Sequence, residues 1–182
     1  MEIGEVAMAI RFWADTAISG FEHALDPTNP SEHAATRRKV VMPTALGAGL
    51  VIGVSLLERL AMDKLAEIGK KSPEPIRSMT NLNWVNELSL NLEPGTREEL
   101  ETFIRLRHCF AHEYGRTTDK QDKPLRDYLN RLAAGEIEDE NGEPIQPYYS
   151  ISASGEISLQ NEARNRLRNT LWFVAKEIEN AS

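Results

Sequence analysis

Between Phe103 and Gly115 the chain reads Phe-Ile-Arg-Leu-Arg-His-Cys-Phe-Ala-His-Glu-Tyr-Gly. The apolar residues Phe103, Leu106 and Phe110 step by three and four, the repeat of a helix with one buried face. Gly115 follows the last periodic residue, where glycine's tolerance of a left-handed backbone commonly stops a helix. With Leu100 at 0° and about 100° per residue, Phe103, Leu106 and Phe110 share one arc, flanked by Ile104 and Ala111. Glu101, Arg105, His108 and His112 fall opposite. Arg107 is the exception, a charge projecting among the apolar residues. A buried guanidinium needs a carboxylate, a carbonyl or a phosphate, unless it snorkels to water. The same stretch holds two of the four histidines and the lone cysteine.

Helical spacing recurs on both sides of it. Glu2 to Leu25 reads as an amphipathic helix with Val6, Ile10, Trp13, Ala17 and Phe21 on one stripe. Asp26-Pro27-Thr28-Asn29-Pro30 breaks it, and Ser31 caps a second helix whose Arg37-Arg38-Lys39 cluster reads as a solvated face. Pro43 is expected to kink or break that helix. Thr44 to Ile68 then reads as a long helix, with Ala45, Gly49 and Gly53 lining a smooth strip for a close neighbour, internal or across a subunit interface. Gly47, Gly49 and Gly53 lack phosphate-loop spacing, and no strand precedes them. Gly69 to Pro75 is a loop, and Asn81 to Leu92 a short helix burying Trp84, Val85 and Leu88. Thr96-Arg97-Glu98-Glu99 reads as a capping box that launches a helix from Arg97 to about Tyr114.

Arg116 to Lys123 is polar and aperiodic, a predicted loop, and Leu125 to Ala134 a short helix. Glu136 to Glu143 reads as an exposed acidic loop. Tyr148 to Leu159 alternates around Ser154-Gly155, a hairpin signal. Asn161 to Asn180 closes the chain with Leu167, Leu171, Val174 and Ile178 as its core line. The expected fold class is mainly α, a helical bundle with a small C-terminal β-hairpin and a closing helix. One domain is expected over residues 1–182, with a core bundle over about 1–130 and an elaboration over 136–182.

The formal charge of −7 argues against non-specific coating of nucleic acid, where a basic balance is expected. It leaves room for a local basic site. From Arg105 to Arg131 seven basic side chains face four acidic ones, the one long stretch where positive charge dominates. A single cysteine rules out an intramolecular disulfide framework and fits a reducing compartment. Met1-Glu2-Ile3-Gly4-Glu5 lacks the basic region of a signal peptide, and the apolar run Ala45–Leu57 is too short to span a bilayer. The expectation is a cytoplasmic protein with no membrane partner.

Arg107-His108-Cys109-Phe110-Ala111-His112 resembles the R-x4-6-H signature of the HEPN superfamily. In that family the residue after the arginine is typically Asn, Asp or His, and His108 fits. Arg105 to His112 fits the longer spacing, so both arginines are candidates. Glu58, at the end of an apolar helical run, resembles an acidic residue that recurs in HEPN-like sequences. It is a candidate partner for Arg107 or His112; the alternative is a surface ion pair with adjacent basic residues. The resemblance implies a HEPN-like bundle and a metal-independent endoribonuclease acting on single-stranded RNA, of the sort found in toxin–antitoxin or phage-defence systems. It implies Arg107 and His112 as catalytic, with Arg105, His108, Glu58, Tyr114 and Arg116 supporting them or binding RNA. No cofactor is implied. Two HEPN motifs commonly face each other across a dimer, and one copy occurs here, so a homodimer is implied, with an antitoxin as a candidate partner. Inactive HEPN-like domains bind nucleotides or other proteins, which is the alternative function.

The chemistry suits these residue types. RNA is cut without metal when a base takes the 2′-hydroxyl proton and an acid protonates the leaving 5′-oxygen. Histidine titrates near working pH and serves both steps. Arginine's planar fork meets phosphate oxygens in pairs as their charge develops. Arg107 and His112 lie about 140° apart on an ideal helix, so loosening near Gly115 or a second subunit is needed to join them; otherwise Arg105, closer to His108 and His112, is the better arginine. His108 and His112 also have i, i+4 spacing for one metal ion, but the H-E-x-x-H order and a third ligand are missing, and no metal is expected. Cys109, without a His/Asn pair at hydrolase spacing, reads as a semi-buried structural thiol.

Overall fold

A computed structural model describes residues 32–70, 82–139, 142–160 and 162–182, with backbone alone for residues 32–45. The expected first helix with Trp13, the break at Asp26–Pro30 and the Ser31 cap lie outside the described residues. The elements in chain order are α1 (Glu32–Glu67), α2 (Asn83–Glu87), α3 (Pro94–His112), α4 (Asp119–Ala133), β1 (Tyr149–Ile151), β2 (Ile157–Leu159) and α5 (Glu162–Asn180). The architecture is therefore mainly helical, with a small antiparallel hairpin and a C-terminal helix, as the apolar spacing predicts.

Helix α1 is the central column, packed along both α3 and α5. Its Leu46, Leu50, Val54, Leu57, Leu60 and Leu65 are buried at three- and four-residue steps. Each such side chain contributes roughly 1.5–3 kcal/mol by leaving water. Pro43 lies inside this 36-residue helix and does not break it. A proline removes one amide donor, and here the turns before and after it stay helical. The small strip serves internal packing at Gly53, where a Cβ would sit 2.8 Å from a methyl of Leu171 on α5.

Helix α3 starts earlier than expected. Pro94 occupies its first turn after Glu93, and the amide of Arg97 donates to the Glu93 carbonyl at 2.9 Å. Proline's fixed φ suits that position. The anticipated capping box does not form: Glu98 reaches Arg131 on α4, and Glu99 turns inward to Arg166 on α5. The predicted Asn81–Leu92 helix shrinks to the single turn of α2, ending near Ser89 with φ 55°. Trp84, Val85 and Leu88 are buried as expected.

Helix α4 begins at Asp119 rather than Leu125, so the predicted Arg116–Lys123 loop is half helical. Asp119 and Asp122 sit in its first turn, where negative charge suits the helix dipole. Asp122 accepts from Thr117 Oγ1 at 2.8 Å and from Arg126 Nε at 2.8 Å. Those local pairs replace the apolar periodicity that marks a helix in sequence. The hairpin pairs Tyr149 with Leu159 and Ile151 with Ile157. Tyr148, Tyr149, Ile157 and Leu159 join the same hydrophobic core as the helices. In α5 the line Leu167, Leu171, Val174 and Ile178 is buried, as read from its spacing. Among the described residues no helix is long and apolar enough to cross a membrane.

Candidate functional site

Helix α3 delivers its two arginines to different neighbours. Arg105 Nη1 donates to Gln121 Oε1 of α4 at 3.2 Å. Arg107 turns toward α1, where its Nη2 lies 3.3 Å from Glu58 Oε2. The Glu58 side chain is 9% exposed and that of Arg107 24%, so the pair sits at the edge of the core rather than on a solvated face. Arg59, beside Glu58 in sequence, pairs instead with Asp63 at 2.9 Å. Arg107 is thus the projecting charge that finds a carboxylate, and Glu58 is the carboxylate it finds.

The pair keeps unused capacity. Glu58 Oε1 and Arg107 Nε are both buried and make no hydrogen bond among the described residues. An unmade bond on a buried polar atom costs about 1–3 kcal/mol. Burial raises the Glu58 carboxyl above the ordinary carboxylate range, while the Arg107 guanidinium acts in the opposite sense.

On the next face of α3 the rings of His108 and His112 lie 5.1 Å apart, tilted by 52°. His108 is partly exposed and His112 exposed. The helix keeps its form to the end: the amide of Glu113 still donates to the Cys109 carbonyl at 3.0 Å. His112 therefore does not swing toward Arg107 by unwinding. Within one chain the ion pair of Arg107 and the imidazole pair are separate features, and among the described residues no hydrogen bond joins them. Tyr114 and Gly115 follow with φ 54° and 79°, and Tyr114 is 99% exposed. The stop at Gly115 is left-handed as expected, but the turn begins one residue earlier, on a tyrosine. Arg116 Nη2 meets Glu156 at 2.9 Å beside the hairpin.

The arc differs from expectation on two residues. Ala111 is exposed, and Cys109 is fully buried. Helix α4 folds back over the side that carries Cys109, which widens the buried face of α3. Burial first, and then the Glu113 carboxylate, push the Cys109 thiol up to about 11. A thiol so placed is protonated at neutral pH and is no nucleophile. Among the described residues no group of three or more His, Cys, Asp or Glu is placed to hold a metal ion.

A second polar cluster escaped the sequence reading. Arg166 of α5 meets Glu99 of α3 in a two-pronged pair, Nε–Oε1 and Nη2–Oε2 both 2.8 Å. Thr170 also donates to Glu99 Oε2. Glu99 is 1% exposed. Its partner lies 67 residues away, so no local pattern marks it. The three residues line one side of a cavity of about 660 Å³, rimmed also by Glu93, Glu138 and Phe173.

Comparison of the chain with protein-family models, with curated proteins and with solved structures finds no match.

Proposed function

We propose that the protein is a metal-independent endoribonuclease of the HEPN type, acting on single-stranded RNA as a homodimer. The observation that carries this reading is the pairing of Arg107 with Glu58 at a half-open edge of the core, on the same helix as two accessible imidazoles. Arg107 and Glu58 are the residues singled out from sequence by the resemblance, and they come from different helices. The carboxylate holds the guanidinium in place, and the Arg107 side chain keeps 24% of its surface exposed. That exposed part, rather than the buried Nε, is what meets a phosphate oxygen.

In the proposed reaction an imidazole takes the proton of the 2′-hydroxyl, whose oxygen attacks the adjacent phosphorus. The bond to the 5′-oxygen breaks, and a second imidazole protonates that oxygen. Arg107 steadies the charge on the phosphate. His112 is the more exposed imidazole and is assigned the primary role, with His108 oriented against it. The angular gap between Arg107 and His112 on one helix requires a second copy of the motif, so the active form is a dimer with two guanidinia and several imidazoles around one phosphodiester. Arg105, held by Gln121, and Arg116, held by Glu156, contribute positive potential at the rim. A toxin–antitoxin or phage-defence setting, with an antitoxin as partner, and a cytoplasmic location belong to the same proposal.

A second reading is favoured by one observation: among the described residues the only ionic partner of Arg107 is Glu58, which offsets its charge. An inactive nucleotide-binding or protein-interaction module would tolerate that neutralisation better than a nuclease. Incubation of the purified chain with single-stranded RNA in excess chelator separates the two. The nuclease reading expects cleavage that falls at least a hundredfold in both Arg107→Ala and His112→Ala. Full cleavage by both variants, or none by the unsubstituted chain, contradicts it.

A further inference from the structure

The turn between α3 and α4 is strained at one residue and fastened on every side. Tyr114 adopts φ 54°, a region that residues with a Cβ enter rarely and that glycine or asparagine enters readily. Its ring is 99% exposed and therefore does not offset the strain by packing. The backbone around it is nonetheless fixed. The Gly115 amide donates to the Cys109 carbonyl at 3.0 Å, and the Arg116 amide to the Glu113 carbonyl at 3.0 Å. From the hairpin, the Ile157 amide donates to the Gly115 carbonyl at 2.8 Å. The Thr117 amide donates to the Gly155 carbonyl, also at 2.8 Å. The Arg116–Glu156 ion pair, 2.9 Å, adds a side-chain link to the same strand. An aromatic ring is thus mounted on a rigid turn two residues beyond His112, with its faces open to solvent. Strain kept at an exposed position, with no packing to offset it, points to a role outside the fold's own stability.

We infer that Tyr114 is a stacking platform for one unpaired base of single-stranded RNA beside the scissile phosphate, and that the β1–β2 hairpin is the clamp that holds the platform. The ligand class rests on the ribonuclease reading above. An open aromatic face accepts any base, which secures the strand without reading its sequence. In a duplex the bases are stacked within the helix and cannot reach such a ring, so the platform selects unpaired strands. Arg116, tied to Glu156, fastens the turn to the hairpin as well as adding positive potential at the rim. Two residues of chain span at most about 7 Å, so a base on Tyr114 keeps its own phosphate near His112.

The test is the affinity of the full-length chain for a labelled single-stranded RNA oligonucleotide in chelator. It is made in the His112→Ala background, so that the strand survives. Tyr114→Phe is expected to bind within twofold of that parent. Tyr114→Gly removes the ring and also relieves the backbone, so affinity falls about tenfold while Tm stays equal or rises. A packing role for the ring moves both readouts down together. Overturning results are Tyr114→Gly affinity within twofold of the parent, a fall in Tm accompanying lost binding, or a parent that binds no strand. Cleavage by the unsubstituted chain is scored separately. Binding that depends on Tyr114 without cleavage removes the nuclease reading alone, and cleavage with Tyr114-independent binding removes the platform alone.

Discussion

Arg107 and Glu58 form a pair whose two halves stabilise each other unequally. Burial raises the Glu58 carboxyl, and Arg107 is the group that pulls it back down. Between the ordinary value of 4.5 and the raised one, the folded chain holds a proton that the unfolded chain has released, so stability falls as pH rises. Removing Arg107 extends that window upward. Arg107→Ala is therefore expected to lose about 1–3 kcal/mol at pH 7, discounted from the cost of breaking a fully buried pair because the guanidinium is partly exposed. The loss shrinks toward pH 4.5, and the double variant Glu58→Gln with Arg107→Ala recovers part of it at pH 7. Urea titrations at the two pH values measure this. An equal loss at both contradicts the assigned pairing. The projecting arginine was legible in sequence from its helical angle alone. Its partner was narrowed to Glu58 only by a resemblance, because an ion pair between helices leaves no local periodicity. Glu99 was misread for the same reason: a Thr-x-x-Glu pattern is local, whereas its bond to Arg166 spans two helices.

At the scale of elements, α1 and α5 approach closely because Gly53 presents no side chain to Leu171. Gly53→Val forces those helices apart or strains the buried leucine. The expected cost is about 1–3 kcal/mol, read as a shift in denaturation midpoint, with partial recovery when Leu171→Ala makes room. No recovery contradicts the close approach. The helices whose apolar residues line one face were readable in advance: α3, α5 and the apolar length of α1 all follow three- and four-residue steps. The ends were not. Helix α4 begins on charged residues satisfied by one another and by Thr117, so its first turn resembles a loop in sequence. Helix α1 runs through Pro43 because one missing amide bond does not end a helix that is continued on both sides. The hairpin was legible from alternation, but its grip on the turn after α3 was not, since backbone bonds such as Ile157 to Gly115 carry no side-chain signature.

For the whole molecule, the described elements share one core, and its polar inclusions set how it responds to alkali. Burial raises the phenols of Tyr128, Tyr148 and Tyr149 above their ordinary value of 10. Tyr149 also donates its hydroxyl to the Leu125 carbonyl at 2.6 Å. Above pH 10 the unfolded chain releases these protons while the folded chain keeps them, so stability falls with rising pH. The slope for three phenols approaches about 4 kcal/mol per pH unit. Urea midpoints between pH 9 and 11 test this, and Tyr149→Phe is expected to flatten the fall by roughly a third; an unchanged midpoint over that range contradicts the burial. The functional account stands on chemistry at one phosphodiester, which the ends of the product record directly. Single-stranded RNA incubated with the purified protein in chelator is expected to yield fragments ending in a 2′,3′-cyclic phosphate and a 5′-hydroxyl, with a DNA strand of the same sequence left whole. Intact RNA, or cleavage that also cuts the DNA strand or stops on chelation, contradicts the account.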